Sequence, residues 1–249
     1  MATHFSKRKV SPQGNATVLL KISGEALSGK SRSGFDKDAM DFIAEEIASI
    51  KDGCKLAVVI GGGNLIRGSR LRQEVGLEDS VVADYAGMLA TIVNAITFQE
   101  VLERKFGLDT RVMSAIEARA VAEPYIRRKA LSNLEKGRVI LLAGGTGNPD
   151  FSTDTAMVLR AHEIGANVVL KGTKVDGIFD KDPERFKDAK SISSIGYLEY
   201  LNKNLEIIDA TAVTLASKHG LAIKIFNIFK KGNLKKVLMG EPIGSTINN

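Results

Sequence analysis

The stretch that decides the fold is Val18-Leu19-Leu20-Lys21-Ile22-Ser23-Gly24, a short apolar run that ends in glycine. The same arrangement recurs where residues 56–60 lead into Gly61-Gly62-Gly63-Asn64 and where residues 139–143 lead into Gly144-Gly145-Thr146-Gly147-Asn148. A strand that ends in glycine lets backbone N–H groups come close to an anion, and the helix that follows adds its positive end. Three such loops indicate a site that holds more than one phosphate group.

The rest of the chain alternates between strand and helix patterns. Strands are predicted at residues 16–22, 55–60, 109–113, 138–143, 166–170 and 221–226. Most of these are continuous apolar runs, which are typical of a sheet covered on both faces. Apolar stripes with helical spacing lie between them, among them Met40, Ile43, Ile47 and Ile50, then Val81, Tyr85, Met88, Leu89, Ile92 and Ile96, and finally Ala212, Leu215 and Ala216. Strand–helix alternation implies parallel crossovers, so the predicted fold is α/β, a three-layer α/β/α sandwich with a mostly parallel central sheet.

Two segments depart from this alternation. Residues 1–15 are polar and contain Pro12 and Gly14, which predicts a flexible leader. Residues 171–196 are rich in glycine and aspartate, which predicts a hairpin or loop that faces a ligand. We interpret residues 16–249 as a single domain made of two lobes that join near residue 165.

Composition narrows the class of protein. The chain has 249 residues, 44% of them hydrophobic, which is ample for a globular core. Its apolar runs are far shorter than the roughly 20 residues that cross a bilayer, so we expect a cytoplasmic protein without a membrane partner. The net charge of +6 favours polyanionic ligands, but zinc-finger spacing and aromatic RNA-binding signatures are missing, so nucleic acid is not an expected partner. The single cysteine, Cys54, is predicted to be a passive thiol on the surface or in a turn.

The first glycine loop also fits the pattern of a P-loop. Residues 24–31 read GEALSGKS, which satisfies G-x-x-x-x-G-K-[ST] after a strand. A P-loop requires a helix that starts at its Lys-Ser end, where the first amides wrap the phosphates. Helical periodicity here begins only at residues 36–40, so we interpret residues 30–33 as a flexible basic loop and reject the P-loop.

Four spaced motifs fit a different family better. They are KISGEAL at residues 21–27, GGGNLIRG at 61–68, TGNP at 146–149 and KGTKVDG at 171–177. In this order they resemble the bacterial uridylate (UMP) kinases, which belong to the amino acid kinase superfamily, and the resemblance runs from about residue 17 to 247. It implies an amino acid kinase-like fold, with an acceptor-binding lobe over residues 16–165 and an ATP-binding lobe over 166–249. It also implies transfer of the γ-phosphoryl group of ATP to UMP, giving UDP and ADP, in a homohexamer with GTP and UTP as candidate effectors.

The resemblance carries over to individual residues. It implies that Lys21, Arg67 and Asp154 are catalytic, with Asp154 organising a phosphate-binding lysine. The implied ATP-binding residues are Lys21, Ile22, Ser23, Gly24, Gly63, Arg67, Thr173, Phe179 and Asp182. The implied UMP-binding residues are Gly62, Asp84, Thr146, Gly147, Asn148, Pro149, Asp150, Phe151, Ser152 and Thr153. A fixed ammonium at Lys21 suits the charge on a transferring phosphoryl group, and the fork of Arg67 suits phosphate oxygens.

Several of these residues also have a plainer interpretation. Asp84 and Asp154 each lie in the first turn of a predicted helix, where a carboxylate complements the helix dipole. Asp209, which is not among the implied site residues, begins a late predicted helix and is interpreted simply as its N-cap. The family usually has an aromatic residue where Asp150 stands and often a tyrosine where Phe179 stands. Asp150 should repel a phosphate unless it faces water.

The sequence offers no general base in a glycine loop, and this reaction needs none. The phosphate of a nucleoside monophosphate has a second pKa near 6, so it is already an anionic nucleophile at neutral pH. No cluster has metal-ligand spacing, so we expect no protein-bound metal and expect Mg²⁺ to arrive with ATP. Two alternatives stay open: a superfamily member that phosphorylates a carboxylate or carbamate, and a nucleotide-binding regulator without catalysis.

Overall fold

The computed structural model describes residues 16–31, 33–181, 183 and 185–249. The predicted leader at 1–15 and the predicted ATP contact Asp182 lie outside these residues. The strands are β1 (Thr17–Ile22), β2 (Lys55–Ile60), β3 (Thr110–Ser114), β4 (Glu123–Pro124), β5 (Val139–Ala143), β6 (Val168–Thr173), β7 (Ile178–Phe179), β8 (Ser191–Ile192), β9 (Ser194–Gly196), β10 (Ile223–Asn227) and β11 (Ser245–Asn248). The helices are α1 (Lys37–Ala48), α2 (Gly68–Val75), α3 (Ser80–Phe106), α4 (Arg127–Glu135), α5 (Thr153–Glu163), α6 (Tyr197–Asn202), α7 (Ala210–His219) and α8 (Asn233–Leu238).

Nine of the strands form one sheet in the order β4-β3-β5-β2-β1-β6-β10-β11-β9. Every neighbouring pair is parallel except β10 with β11. Strand β1 lies in the middle and sends alternate side chains to opposite faces: Val18 and Leu20 join one apolar core, and Leu19 joins the other. A sheet with a core and helices on each face is the predicted three-layer sandwich, so the fold prediction is confirmed.

The remaining two strands form a small ribbon. Strands β7 and β8 pair antiparallel, with Ile178 opposite Ile192 and Phe179 opposite Ser191. This pair confirms the hairpin predicted within residues 171–196. The preceding strand β6 extends to Thr173, beyond the predicted end at residue 170, because Thr173 still pairs with Asn227 of β10.

Helix α3 is long and apolar. It has 27 residues, and an 18-residue window within it has a mean hydropathy of 1.5, so it could cross a membrane by length and composition alone. One side of the helix, however, is buried in the core through Ala95, Phe98 and Leu102. Asp79 caps its first turn by accepting a hydrogen bond from the Val81 N–H at 2.8 Å. We therefore interpret α3 as a core helix of the sandwich.

Two sequence predictions near the first strands have different outcomes. The segments Gly24–Leu27 and Gly29–Ser31 form short 3₁₀ helices, and the next α-helix begins at Lys37, so the rejection of a P-loop is confirmed. Cys54 was predicted on the surface or in a turn, and it lies in the bend before β2 but is not on the surface. Its thiol is buried in the core below α1, and burial raises its pKa to about 11, which makes it a poor nucleophile.

Candidate active site

The glycine loops meet at one edge of the sheet, the edge formed by the carboxyl ends of its parallel strands. Strands β5, β2, β1 and β6 are consecutive and parallel, so their carboxyl ends lie side by side. The loops after β1 and β2 touch each other: a Cβ built on Gly24 would lie 2.8 Å from both the Gly61 oxygen and the Gly63 nitrogen. Gly62 is equally confined, because a Cβ there would lie 2.6 Å from the Gly87 oxygen of α3. Only glycine allows backbones to pack this closely.

Two buried asparagines hold these loops together. The side chains of Asn64 and Asn94 exchange hydrogen bonds at 3.2 and 2.6 Å. Asn94 also donates to the Gly61 carbonyl at 2.7 Å, and Asn64 donates to the Gly34 carbonyl at 2.8 Å. Asn94 was not predicted as part of the site, although a polar residue within an apolar helix was a signal that could have identified it.

Two lysines and an aspartate form the charged centre of this edge. Lys21 of β1 and Lys171 of β6 are register partners, so both side chains leave the sheet on the same face. Lys21 Nζ lies 2.9 Å from Asp154 Oδ1, and Lys171 Nζ donates to Asp154 Oδ2 and to the Ile207 carbonyl. All three residues are buried. The structure therefore brings together Lys21 and Asp154, which were predicted as catalytic, and adds Lys171, which was not.

The electrostatics of this cluster follow from its burial. Burial alone pushes the pKa of Asp154 upward, but the ammonium groups of Lys21 and Lys171 outweigh it and hold that pKa below its usual value. Burial and the nearby Lys21 charge lower the pKa of Lys171 to about 8. The cluster thus has two positive charges and one negative charge at neutral pH, a net positive centre where the glycine loops meet.

Arg67, the third predicted catalytic residue, lies at the same edge of the sheet, in the loop between β2 and α2. Its guanidinium forms an ion pair with Glu25, and Lys174 Nζ lies 3.6 Å from the other oxygen of Glu25. Arg67 is exposed and lies beside Gly63, whose added Cβ would be 3.6 Å from Arg67 Nε. These cations come from the loops after β2 and β6, and Glu25 lies between them.

The loop over residues 144–152 leads from β5 into α5. Gly144, Gly145 and Gly147 have φ of 75°, 57° and 85°, a region that side chains rarely allow. Asp150 also has a positive φ of 68°, and its N–H donates to Asp84 Oδ2 at 2.8 Å. The structure thus joins two predicted UMP contacts through the Asp150 backbone. Asp150 itself is exposed, which fits the expectation that its carboxylate faces water.

The N-termini of α5 and α7 meet below this loop. Ser152 caps α5 by accepting from the Asp154 N–H at 2.9 Å, and its hydroxyl donates to Asp209. Asp209 caps α7, accepting from the Ala212 N–H at 2.8 Å, and accepts from the Thr155 hydroxyl at 3.1 Å. The predicted N-cap role of Asp209 is confirmed, and the side chain has the further role of linking the two helices.

The other predicted contacts lie along the same edge and beside it. Ile22 and Thr173 end the neighbouring strands β1 and β6, Ser23 precedes the first 3₁₀ helix, and Phe179 lies in the β7–β8 ribbon. The remaining predicted UMP contacts belong to the loop before α5 and the first residue of that helix: Thr146, Gly147, Asn148, Pro149, Phe151 and Thr153. A largely apolar cavity of about 530 Å³ lies between α5 and α7 and is bordered by Thr146, Asn148 and Phe151. In the described part of the chain, no three His, Cys, Asp or Glu side chains converge as metal ligands.

The fold and the site together define an α/β protein that gathers positive charge and glycine backbone at its strand ends without a P-loop. A model of the amino acid kinase family matches residues 16–227. The chain belongs to this family, as its four motifs predicted.

Solved structures place the chain near one branch of the family. The UMP kinase from Bacillus anthracis is 36% identical with a TM-score of 0.89, over 94% of this chain and 96% of that chain. The UMP kinase from Ureaplasma parvum is 30% identical with a TM-score of 0.88, over 94% and 99% of the two chains. The uridylate kinase from Archaeoglobus fulgidus is 24% identical with a TM-score of 0.71, over 92% and 99%, and shares the fold.

Proposed function

We propose that this protein is a UMP kinase, which transfers the γ-phosphoryl group of ATP to UMP and yields UDP and ADP. The observation that carries the proposal is the buried Lys21–Asp154–Lys171 cluster at the meeting point of the glycine loops. Similarity to two UMP kinases over 94% of the chain supports the choice of substrates. In this proposal the loops of residues 16–165 bind UMP and the phosphates of ATP, and those of residues 166–249 bind the adenosine part of ATP.

The chemistry follows from what the cluster offers. A UMP phosphate is already an anion, so the reaction requires alignment and charge neutralisation rather than a base. Lys21 and Lys171 present two ammonium groups to the transferring phosphoryl group, and Asp154 keeps them together and correctly oriented. Arg67 exchanges its ion pair with Glu25 for phosphate oxygens of ATP.

The carboxylates of the site also determine how Mg²⁺ can be bound. Both oxygens of Asp154 face lysines, and both oxygens of Asp209 accept hydrogen bonds, so neither carboxylate is a ready metal ligand. We propose that Mg²⁺ is held by the phosphates and water, where it supplies charge neutralisation. Gly63 leaves room for the polyphosphate close to the backbone, since a Cβ there would meet only the Arg67 side chain at 3.6 Å or more.

The predicted nucleotide contacts divide between the two substrates. Asp84 would accept the ribose hydroxyls of UMP, and the loop of residues 146–153, with Gly62, would hold its base and phosphate. Thr173 and Phe179 would contact the adenosine part of ATP, from the end of β6 and from the β7–β8 ribbon.

We further propose a cytoplasmic homohexamer. Helix α3 leaves four apolar side chains exposed, Val82, Tyr85, Leu89 and Val93, at 51%, 43%, 51% and 43%. Their spacing of three or four residues puts them on one face of the helix, where a second copy of the chain would cover them.

An ADP-release assay with a panel of acceptors tests the function. We expect turnover with UMP that exceeds turnover with CMP, dCMP, aspartate, N-acetylglutamate and carbamate. Faster turnover of a carboxylate or carbamate would favour a different member of the family, and tight nucleotide binding without ADP release would favour a regulator. Control by GTP or UTP stays a prediction, which the same assay measures when each nucleotide is added.

A further inference from the structure

Arg160 is a buried cation outside the charged cluster. It lies on α5, and only 7% of its side chain is exposed. A buried guanidinium is costly unless it is paired and hydrogen-bonded. Arg160 Nη1 lies 2.7 Å from Glu163 Oε2, and its guanidinium stacks on the Tyr125 ring, 4.0 Å from the centroid. Tyr125 Oη donates to the same Glu163 oxygen at 2.7 Å, so the two side chains that hold the guanidinium also hold each other.

The other edge of the guanidinium reaches the glycine loop after β5. Arg160 Nη2 donates to the Gly145 carbonyl at 3.4 Å and to the Thr146 carbonyl at 3.3 Å. This loop, residues 144–152, contains most of the predicted UMP contacts. A buried charge therefore ties the rigid helix α5 to the backbone that is proposed to bind the acceptor.

The loop needs such an anchor because its three glycines give the backbone many accessible conformations. Gly144, Gly145 and Gly147 all have positive φ, and glycine backbones reach many other conformations at little cost. Further anchors to the rest of the protein include the Gly144 N–H, which donates to Thr91 Oγ1 at 2.7 Å, and the Asp150 N–H, which donates to Asp84 Oδ2 at 2.8 Å.

The contacts of Arg160 also set which way one amide points. In a planar trans peptide the C=O and N–H point in opposite directions. Since the Gly145 carbonyl faces Arg160, the Thr146 N–H of the same peptide points away from it. Within the described residues, the Thr146 N–H has no protein acceptor, so it is available to a bound anion or uracil oxygen.

We propose that Arg160 is a positioning residue for acceptor binding: it fixes the Gly145–Thr146 peptide so that the loop presents its backbone to UMP. This inference rests on the proposed function of the site. Arginine suits the task because its planar fork donates to Glu163 and to two carbonyls at once, which a lysine ammonium cannot do in the same geometry.

The test compares Arg160→Lys with Arg127→Lys. Arg127 is a matched control, because it donates to the Glu163 carbonyl yet is exposed and is not among the residues that contact the loop. For Arg160→Lys we expect the KM for UMP to rise about tenfold, while the KM for ATP and kcat change less than about threefold. Arg127→Lys should leave all three constants unchanged. Hydrogen exchange of the free proteins should be faster at residues 144–148 in Arg160→Lys only.

The outcomes separate the two proposals. If the wild-type enzyme turns over no UMP, the proposed function fails, but hydrogen exchange still tests whether Arg160 fixes the loop. Equal increases in both KM values, or unchanged exchange at residues 144–148, would overturn the positioning role. If Arg160→Lys does not fold, Glu163→Gln is the second variant. It removes only the counter-charge and should raise the KM for UMP about threefold without changing that for ATP, and an unchanged KM for UMP would overturn the role.

Discussion

Lys21 and Lys171 face each other on β1 and β6 and carry the same charge, so they repel each other unless a third group lies between them. Asp154 is that group, and its own low pKa shows how strongly the two ammonium groups act on it. Both lysines favour the charged form of this carboxylate, and its charge in turn offsets the repulsion between them. The cluster therefore behaves as one unit, and removal of any member should disturb the other two.

Removal of the Lys21 side chain tests the central residue. We expect Lys21→Ala to lower kcat at least about 100-fold, because a preorganised charge donor is lost, while the far-UV circular dichroism spectrum stays unchanged. Lys55→Ala is the matched control, since Lys55 begins the adjacent strand β2 and pairs with Glu135. Turnover near the wild-type value in Lys21→Ala would contradict the proposed role.

The low pKa of Lys171 predicts a pH dependence. Above a pKa of about 8 the buried ammonium loses its proton, so kcat should decline as the pH rises through that value. Stability should change in the opposite direction: between pH 8 and the ordinary lysine value of 10.5 the unfolded chain keeps a proton that the folded chain has released, so this group makes folding more favourable as pH rises.

A pH profile of kcat checks this prediction. The decline near pH 8 should disappear in Lys171→Arg, because arginine keeps its charge, and should persist in Lys55→Ala. A decline of equal size and position in Lys171→Arg would assign the titration to another group.

Some residues of this site were predicted from the sequence and others were not. Lys21 and Asp154 were predicted as catalytic because the resemblance to the UMP kinases carries over to their motifs. Lys171 opens a motif that was identified, but its role depends on the register of β1 with β6, which are about 150 residues apart. Asn94 and Arg160 act on loops 33 and 14 residues away along the chain, and which loop each side chain reaches depends on the folded structure.

At the level of elements, α5 and α7 are joined at their first turns. Asp209 caps α7 and at the same time accepts hydrogen bonds from Ser152 and Thr155 of the α5 N-terminus. Because Asp154 lies in that same first turn, the link also supports the carboxylate that holds the two lysines.

A pair of N-cap substitutions measures this link. Asp79 caps α3 through one hydrogen bond to its own helix, so Asp79→Ala should cost about 1 kcal/mol of unfolding free energy. Asp209→Ala should cost about 1 to 3 kcal/mol more, because two hydroxyl groups also lose their acceptor. Urea unfolding of both variants provides the comparison, and equal losses would show that Asp209 is only a cap.

The elements themselves were largely predictable. All six predicted strands exist, and the largest difference is the end of β6, which pairing with β10 extends to Thr173. The strands that were not predicted, among them β4, β9 and β11, have two to four residues, too few for a periodic pattern. These short strands form because neighbouring strands offer hydrogen bonds, so they depend on tertiary structure rather than on local sequence.

At the scale of the whole molecule, the exposed stripe of α3 predicts self-association. Leu89→Lys should convert the proposed hexamer into smaller species, because a charge would enter an apolar contact between copies. Leu198→Lys is the control, since Leu198 is 75% exposed on α6, away from the stripe. Light scattering after size-exclusion chromatography measures the mass, and an unchanged hexamer in Leu89→Lys would exclude this face as the interface.

The position of β1 in the sheet has a consequence for synthesis. The first described strand of the chain is the central one, and all strands on one side of it come from residues 55–143, whereas those on the other side come from residues 168–248. A chain emerging from the ribosome can therefore pair β1 on one side early, but the opposite edge of β1 stays open until β6 has been made. Until β6 pairs with β1, Lys21 has no Lys171 beside it, and the nascent protein carries an exposed strand edge that the cell must protect from aggregation.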